Sequence, residues 1–125
     1  QYGIEADLYC GDLKTDALSE EICTTVYRVA QEALTNVVKH AQATSVSVVI
    51  EQAGDKLRLT IEDNGCGFKV DSSSDAKGSR SGGLGVAGMR ERLVLIGGEF
   101  EIESSIGVGT TIFARIPLEP KRIAA

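Results

Sequence analysis

Ile22, Val26, Val29, Ala33 and Val37 recur at three- and four-residue spacing, which is the period of a helix with one buried face. Such a helix needs an apolar surface to cover, because its own propensity is too weak to sustain it in water. Its start is marked by Ser19, whose hydroxyl can cap the first turn, and by Glu20 and Glu21 at the positive helix end. From there the helix is expected to reach about His40. The surface it requires follows directly: residues 45–52 and 56–62 alternate Val, Ile, Leu and Thr around Ala53-Gly54-Asp55, the pattern of a β-hairpin. Residues 4–9 read as a further strand and residues 11–18 as a loop. A second helix is expected over residues 84–96, from the spacing of Leu84, Ala87, Met89, Leu93 and Ile96, with Gly97-Gly98 as its stop. Strands at residues 100–103 and 110–116 close the chain, with a loose tail from Pro117. Strands and helices cluster instead of strictly alternating, which predicts an α+β fold: a two-layer α/β sandwich, a mixed sheet covered on one face by helices.

At 125 residues the chain makes one domain, expected to span residues 1–125. Its formal net charge of −5, with no run of Lys or Arg, argues against a nucleic-acid partner. No apolar run approaches the roughly 20 residues needed to cross a bilayer, so no direct membrane contact is expected, and the domain is expected to be cytoplasmic. Cys10, Cys23 and Cys66, odd in number and without a His cluster, fit reduced thiols better than a disulfide or zinc framework. The chain opens at Gln1 inside strand-like sequence, which reads as a fragment of a longer protein.

Eleven of the 14 glycines lie between Gly65 and Gly109, so the chemistry is sought there and on the helix beside it. Glu32 and Asn36 stand one helical turn apart on a polar edge shared with Arg28 and Lys39. Two oxygen donors so placed can share a hard cation such as Mg²⁺, or simply form a solvated edge; the residues alone leave both open. His40 falls nearer the apolar arc and reads as a packed histidine. Asp63-Asn64-Gly65-Cys66-Gly67 ends a strand. There a rigidly held carboxylate can accept from an exocyclic amine such as adenine N6 while Gly65 and Gly67 admit a flat base, or Asn-Gly can be only a tight turn. Residues 69–82 are polar and aperiodic, the pattern of a functional lid. Gly83-Leu84-Gly85-Val86-Ala87-Gly88 opens a helix, where free N–H groups suit phosphate. It also spells G-x-G-x-x-G, but the apolar strand that a dinucleotide fingerprint needs just before it is missing. Gly109-Thr110 ends a turn on the neighbouring strand.

The order of these pieces is distinctive. The chain resembles the ATP-binding domains of the GHKL (Bergerat) superfamily, and among them the catalytic domain of sensor histidine kinases of the nitrate-sensor (NarX-like) type. The resemblance rests on Gln31-Glu32-Ala33-Leu34-Thr35-Asn36-Val37-Val38-Lys39-His40-Ala41, like that family's N box, and on residues 83–92, like its G2 box. It implies ATP and Mg²⁺ as ligands. Asn36 is expected to complete the Mg²⁺ shell, Lys39 to touch phosphate, and Glu32, the one catalytic candidate, to position or polarise a magnesium-bound water. Asp63 is expected to read adenine N6 with Gly65 and Gly67 beside the base. Gly83, Leu84 and Gly85 are expected at the lid hinge and phosphates, and Thr110 is expected to support Asp63, directly or through water. The implied partners are ATP or ADP, the kinase's own dimerisation and phosphoacceptor domain, and a response regulator. That phosphoacceptor domain is absent from the chain, so the chain is expected to bind ATP without phosphorylating itself. Alternatives of other classes are a stand-alone anti-sigma-factor serine kinase, an ATPase with Glu32 as general base, and a docking module without catalysis.

Overall fold

The computed structural model describes residues 3–11, 13, 18–69 and 85–118. Five strands form one sheet: β1 (Glu5–Cys10), β2 (Ser45–Ala53), β3 (Lys56–Asp63), β4 (Glu99–Ser105) and β5 (Gly109–Pro117), in spatial order β1-β2-β3-β5-β4. β1 pairs parallel with β2, and every other pairing is antiparallel. Two helices, α1 (Glu20–Asn36) and α2 (Val86–Leu95), supply the second layer. The sheet is mixed, the fold α+β, as the clustering of elements predicts.

Local chemistry sets the element ends. The Ser19 hydroxyl accepts from the Ile22 N–H at 3.1 Å, which satisfies a donor that the first helical turn leaves without an intrahelical partner. At the far end of α2, Gly98 N–H reaches Leu93 O at 2.7 Å and Gly97 N–H reaches Val94 O at 2.9 Å, the paired bonds of a Schellman stop. Gly97 adopts φ +78°, which is open to glycine and costly for other residues, so Gly97-Gly98 ends the helix where the sequence places the stop. Gly54 and Asp55 alone make the β2–β3 turn, since Ala53 already pairs with Lys56.

The core is the layer between sheet and helices. Val46 and Val48 of β2, Leu57, Leu59 and Ile61 of β3, and Ile112, Ala114 and Ile116 of β5 all point to the helices, two residues apart along each strand. Ile22, Val29 and Ala33 of α1 and Val86, Met89 and Leu93 of α2 meet them, with Val29 and Leu93 fully enclosed. Arg90 stacks its guanidinium 4.9 Å from the centre of the Phe100 ring, closing the α2–β4 seam.

Three expectations shift. The first helix reaches residue 41, but its last five residues, Val37–Ala41, form a wider π turn before Gln42 reverses the chain at φ +55°. α2 begins at Val86, not at Leu84, because Gly85 takes a left-handed conformation. The tail is tied down further than the proline suggests: Pro117 still pairs in β5, and Leu118 is buried with its N–H on Asp55 O at 2.8 Å.

Candidate functional site

One row of the sheet, on the helix side, changes character near the end of the strands. Ile61 of β3, Ile112 of β5 and Ile102 of β4 lie side by side in register. Two residues further along the same faces come Asp63, Thr110 and Ser104, again as direct partners. Apolar floor thus gives way to a carboxylate and two hydroxyls. Ala33, Asn36 and Val37 at the end of α1 and Val86 at the start of α2 overhang this step. Between them lies a cavity of about 170 Å³, lined also by Cys66, Gly67 and Phe68. It is largely apolar with a few converging polar groups, the pattern of a small-molecule site and suited to a flat ring.

Asp63 is held by its own loop. Its Oδ1 accepts from the Gly65 N–H at 2.7 Å, which fixes one carboxylate oxygen of a residue that lines the cavity. Asn64 anchors the same loop from the other side: its Oδ1 accepts from the N–H groups of Thr44 and Ser45, both at 3.0 Å, and its Nδ2 donates to Thr44 Oγ1 at 2.9 Å. Asn-Gly here is therefore both a turn and a clamp. Gly67 sits at φ +67° with its Cα facing the Ser105 carbonyl so closely that a Cβ has no room. Gly109, at φ +137°, faces the Asp63 carbonyl in the same way. Gly107 N–H completes the join by donating to Cys66 O at 2.7 Å. The post-β3 loop and the β4–β5 turn are thus one packed unit.

The helical side is built differently. Gly85, at φ +71°, caps α2 without a side chain, and the Glu32 carboxylate packs against its Cα. Glu32 is exposed and lies next to the α2 N-terminus, where free N–H groups and the helix dipole favour anions. Asn36, half-buried, ends α1 on the cavity wall.

The structure therefore gathers Asn36, Asp63, Gly67 and Thr110 on one cavity, with Gly65 buried in the loop behind it and Glu32 and Gly85 paired at the helical rim. Lys39, in the π turn, is exposed; it is not among the residues lining this cavity and borders, with Leu34 and Val38, a neighbouring groove along α1. Gly83, Leu84 and all of the expected lid but Lys69 lie outside the described residues, as does the side chain of His40.

Two residues of the site escape the sequence reading. Phe68 and Ser104 complete the base end, the latter with an Oγ 2.8 Å from both Phe68 N and Thr110 Oγ1. The signal for Ser104 is the period of two: Phe100 and Ile102 point inward, so the next inward place on β4 is Ser104, visible once the strand is allowed to run past residue 103.

This arrangement defines a two-layer α/β sandwich with a small-molecule cavity between its layers, and comparison places it within one family. Residues 23–120 match the family described as histidine kinase-, DNA gyrase B- and HSP90-like ATPase, and the chain belongs to it. Its relatives are histidine kinases. The signal transduction histidine-protein kinase/phosphatase DegS of Bacillus subtilis is 35% identical over 86% of this chain and 27% of its own length. The sensor histidine kinase MctS of Rhizobium johnstonii is 42% identical over 86% of this chain and 23% of its own length. The chain thus spans about a quarter of the relatives it matches. Among solved structures, the blue-light activated histidine kinase of Erythrobacter litoralis superposes with a TM-score of 0.70 at 26% identity, over 93% of this chain and 36% of that one. Among the described residues no helix is long and apolar enough to cross a membrane.

Proposed function

We propose that this chain is the catalytic ATP-binding domain of a two-component sensor histidine kinase, which presents the γ-phosphoryl group of Mg-ATP to a histidine on the kinase's dimerisation domain for relay to a response regulator. The observation that carries it is Asp63: a carboxylate with one oxygen held by the Gly65 N–H, at the polar end of an apolar slot sized for a base. A carboxylate accepts only, so it selects a ring with a donor at its edge, as adenine has at N6.

Phosphates leaving that slot are directed to the gap between α1 and α2, where the Gly85 turn and the α2 N-terminus offer N–H groups. Mg²⁺ fits this donor set in one way. Among the described residues no three His, Cys, Asp or Glu side chains are grouped to hold a metal. Asn36 would hold the ion through its amide oxygen, the nucleotide's phosphates and water supplying the rest of the shell that Mg²⁺ commonly keeps, and the chemistry so supplied would be neutralisation of phosphate charge. Glu32, at the same rim, orients water or the acceptor, and Thr110 steadies Asp63. Lys39, off the cavity wall, adds a solvated positive charge near the phosphates. Phosphoryl transfer asks for positioning and charge neutralisation more than covalent chemistry from the protein, and these residues suit that task.

The test is calorimetric titration of the chain with ADP and ATP, with and without Mg²⁺. Adenine nucleotide binding by the wild type, weakened about a hundredfold in Asp63→Asn, is the expected result, since the new amide turns a donor toward the base amine in place of a charged acceptor. A wild type that binds no adenine nucleotide would overturn the reading and leave a docking module.

A further inference from the structure

Each residue of the first helix's core stripe is followed by a second apolar one. Ile22, Val26, Val29, Ala33 and Val37 pack into the core, and Cys23, Tyr27, Ala30, Leu34 and Val38 repeat the same spacing one position on, about 100° round the helix. This second stripe faces solvent: Tyr27 is 62% exposed and Val38 70%, with Ala30 and Leu34 half-buried between them. It shares no residue with the base cavity. One apolar stripe suffices to seat a helix on its own sheet, and a contiguous second one marks a surface that takes a partner.

A groove of about 480 Å³ runs along the stripe. Its lining falls into two stacked sets at i, i+3, i+4 and i+7: Tyr27, Ala30, Gln31 and Leu34, then Gln31, Leu34, Thr35 and Val38. Four residues so spaced form the hole that receives one side chain of a packed helix. The charges at the two ends specify that helix. Glu20 and Glu21 stand at the N-terminal end and Lys39 borders the groove at the other, so a matching helix carries a base opposite the acids and an acid opposite Lys39. The same helix, turned end for end, meets this description. We propose that this face binds the same face of a second copy of the chain, the two helices antiparallel about a two-fold axis. With Ala30, the smallest side chain of the stripe, at the crossing, Tyr27 of each copy enters the hole around Leu34 of the other, and Cys23 lies opposite Val38. Lys39 then meets the acidic end of the other copy at both ends of the seam, and the helix dipoles run in opposite directions. A parallel pair would set acid on acid and base on base. One helix pair falls short of the roughly 1,200 Å² of a stable interface, so the dimer is a weak one, with a Kd on the order of 100 µM.

Sedimentation velocity of the chain from about 10 to about 500 µM tests this. The wild type is expected to pass from monomer to dimer across that range. Tyr27→Glu combined with Val38→Glu, at two exposed positions, is expected to weaken association at least about tenfold. Orientation is read by disulfide trapping in a chain carrying Cys10→Ser and Cys66→Ser. There Val38→Cys is expected to trap the dimer through Cys23 at least about tenfold more than the same chain with Val38 kept. Trapping introduces no charge, so it decides the matter should the glutamate variant unfold. The proposal is overturned by a wild type that stays monomeric at about 500 µM, which leaves the groove to a helix of another protein. It is overturned equally by a dimer that survives Tyr27→Glu with Val38→Glu, which places the interface on another face, or by trapping through Cys23 alone, which marks a parallel pair.

Discussion

The two ends of the cavity are made of different materials. The base end is sheet and tight turn: Asp63, Thr110 and Ser104 sit in one cross-strand row, and the loop carrying Asp63 is fastened by Asn64 to Thr44 and Ser45 and by Cys66 to Gly107. The helical end is two helix termini: Asn36 where α1 widens into a π turn, and Gly85 where α2 begins with no side-chain cap. A hydrogen-bonded row cannot shift one member without disturbing the others. Helix termini leave backbone groups unsatisfied and available to a ligand. At the base end the side chains are therefore fixed by bonds within the folded chain, whereas the helical end presents the terminal backbone groups of α2.

Substitutions at the two ends test that contrast. Asp63→Asn, in the titration above, is the largest expected loss in binding, because it alters the one charged group at the fixed end. Next comes Gly67→Ala. Its Cβ would strike the Ser105 backbone carbonyl at a positive φ, and neither the sheet nor the turn can yield. A loss of about 2–3 kcal/mol, read as a fall in Tm on the order of 10 °C, is expected. Gly85→Ala provides the counterpart: it carries the same positive φ, but the obstructing group is the Glu32 side chain, which can swing away, so the melting point is expected to fall by less. Equal losses at the two glycines would erase the distinction between the ends.

Asn36→Ala is expected to weaken ADP binding about tenfold with Mg²⁺ present and to leave metal-free binding nearly unchanged, since only the metal-linked part of the grip is removed. Loss of affinity irrespective of Mg²⁺ would make Asn36 a wall of the base slot instead. The smallest effect is expected at Lys39. It is exposed and off the cavity wall, so Lys39→Ala should weaken ATP binding by no more than about threefold at physiological salt, and less at high salt.

Much of this was legible in the residues. The three- and four-residue spacing from Ile22 to Val37, the Ser19 cap, the two alternating runs around Gly54 and the Gly97-Gly98 stop each act over a few residues, so propensity and periodicity reveal them. Asp63 and its glycines were legible for a related reason. A carboxylate followed by Asn-Gly and a second glycine marks a turn that must pass close to something, and close passage is what the Ser105 carbonyl shows at Gly67. Ser104 and Phe68 were not legible as site residues, because nothing near them in the chain reports that they meet; 36 residues separate them, and only the β3–β5–β4 pairing brings them together. The π turn at Val37–Ala41 was not legible either, because a helical wheel drawn at 100° per residue runs straight through it.

The sequence by itself determined which segments are helix and strand, which face of each is apolar, and which residue types could read a base or approach a phosphate. These follow from side-chain size, branching and charge at fixed local spacing. The tertiary structure decided which of those residues share a cavity. The order β1-β2-β3-β5-β4 places β5 between β3 and β4, so that Asp63, Thr110 and Ser104 become neighbours although the last two follow Asp63 by more than forty residues. Strand register is a global choice, made where burying Ile61, Ile112 and Ile102 together under the helices outweighs any other pairing. The polar row beyond them is carried into place by that apolar one.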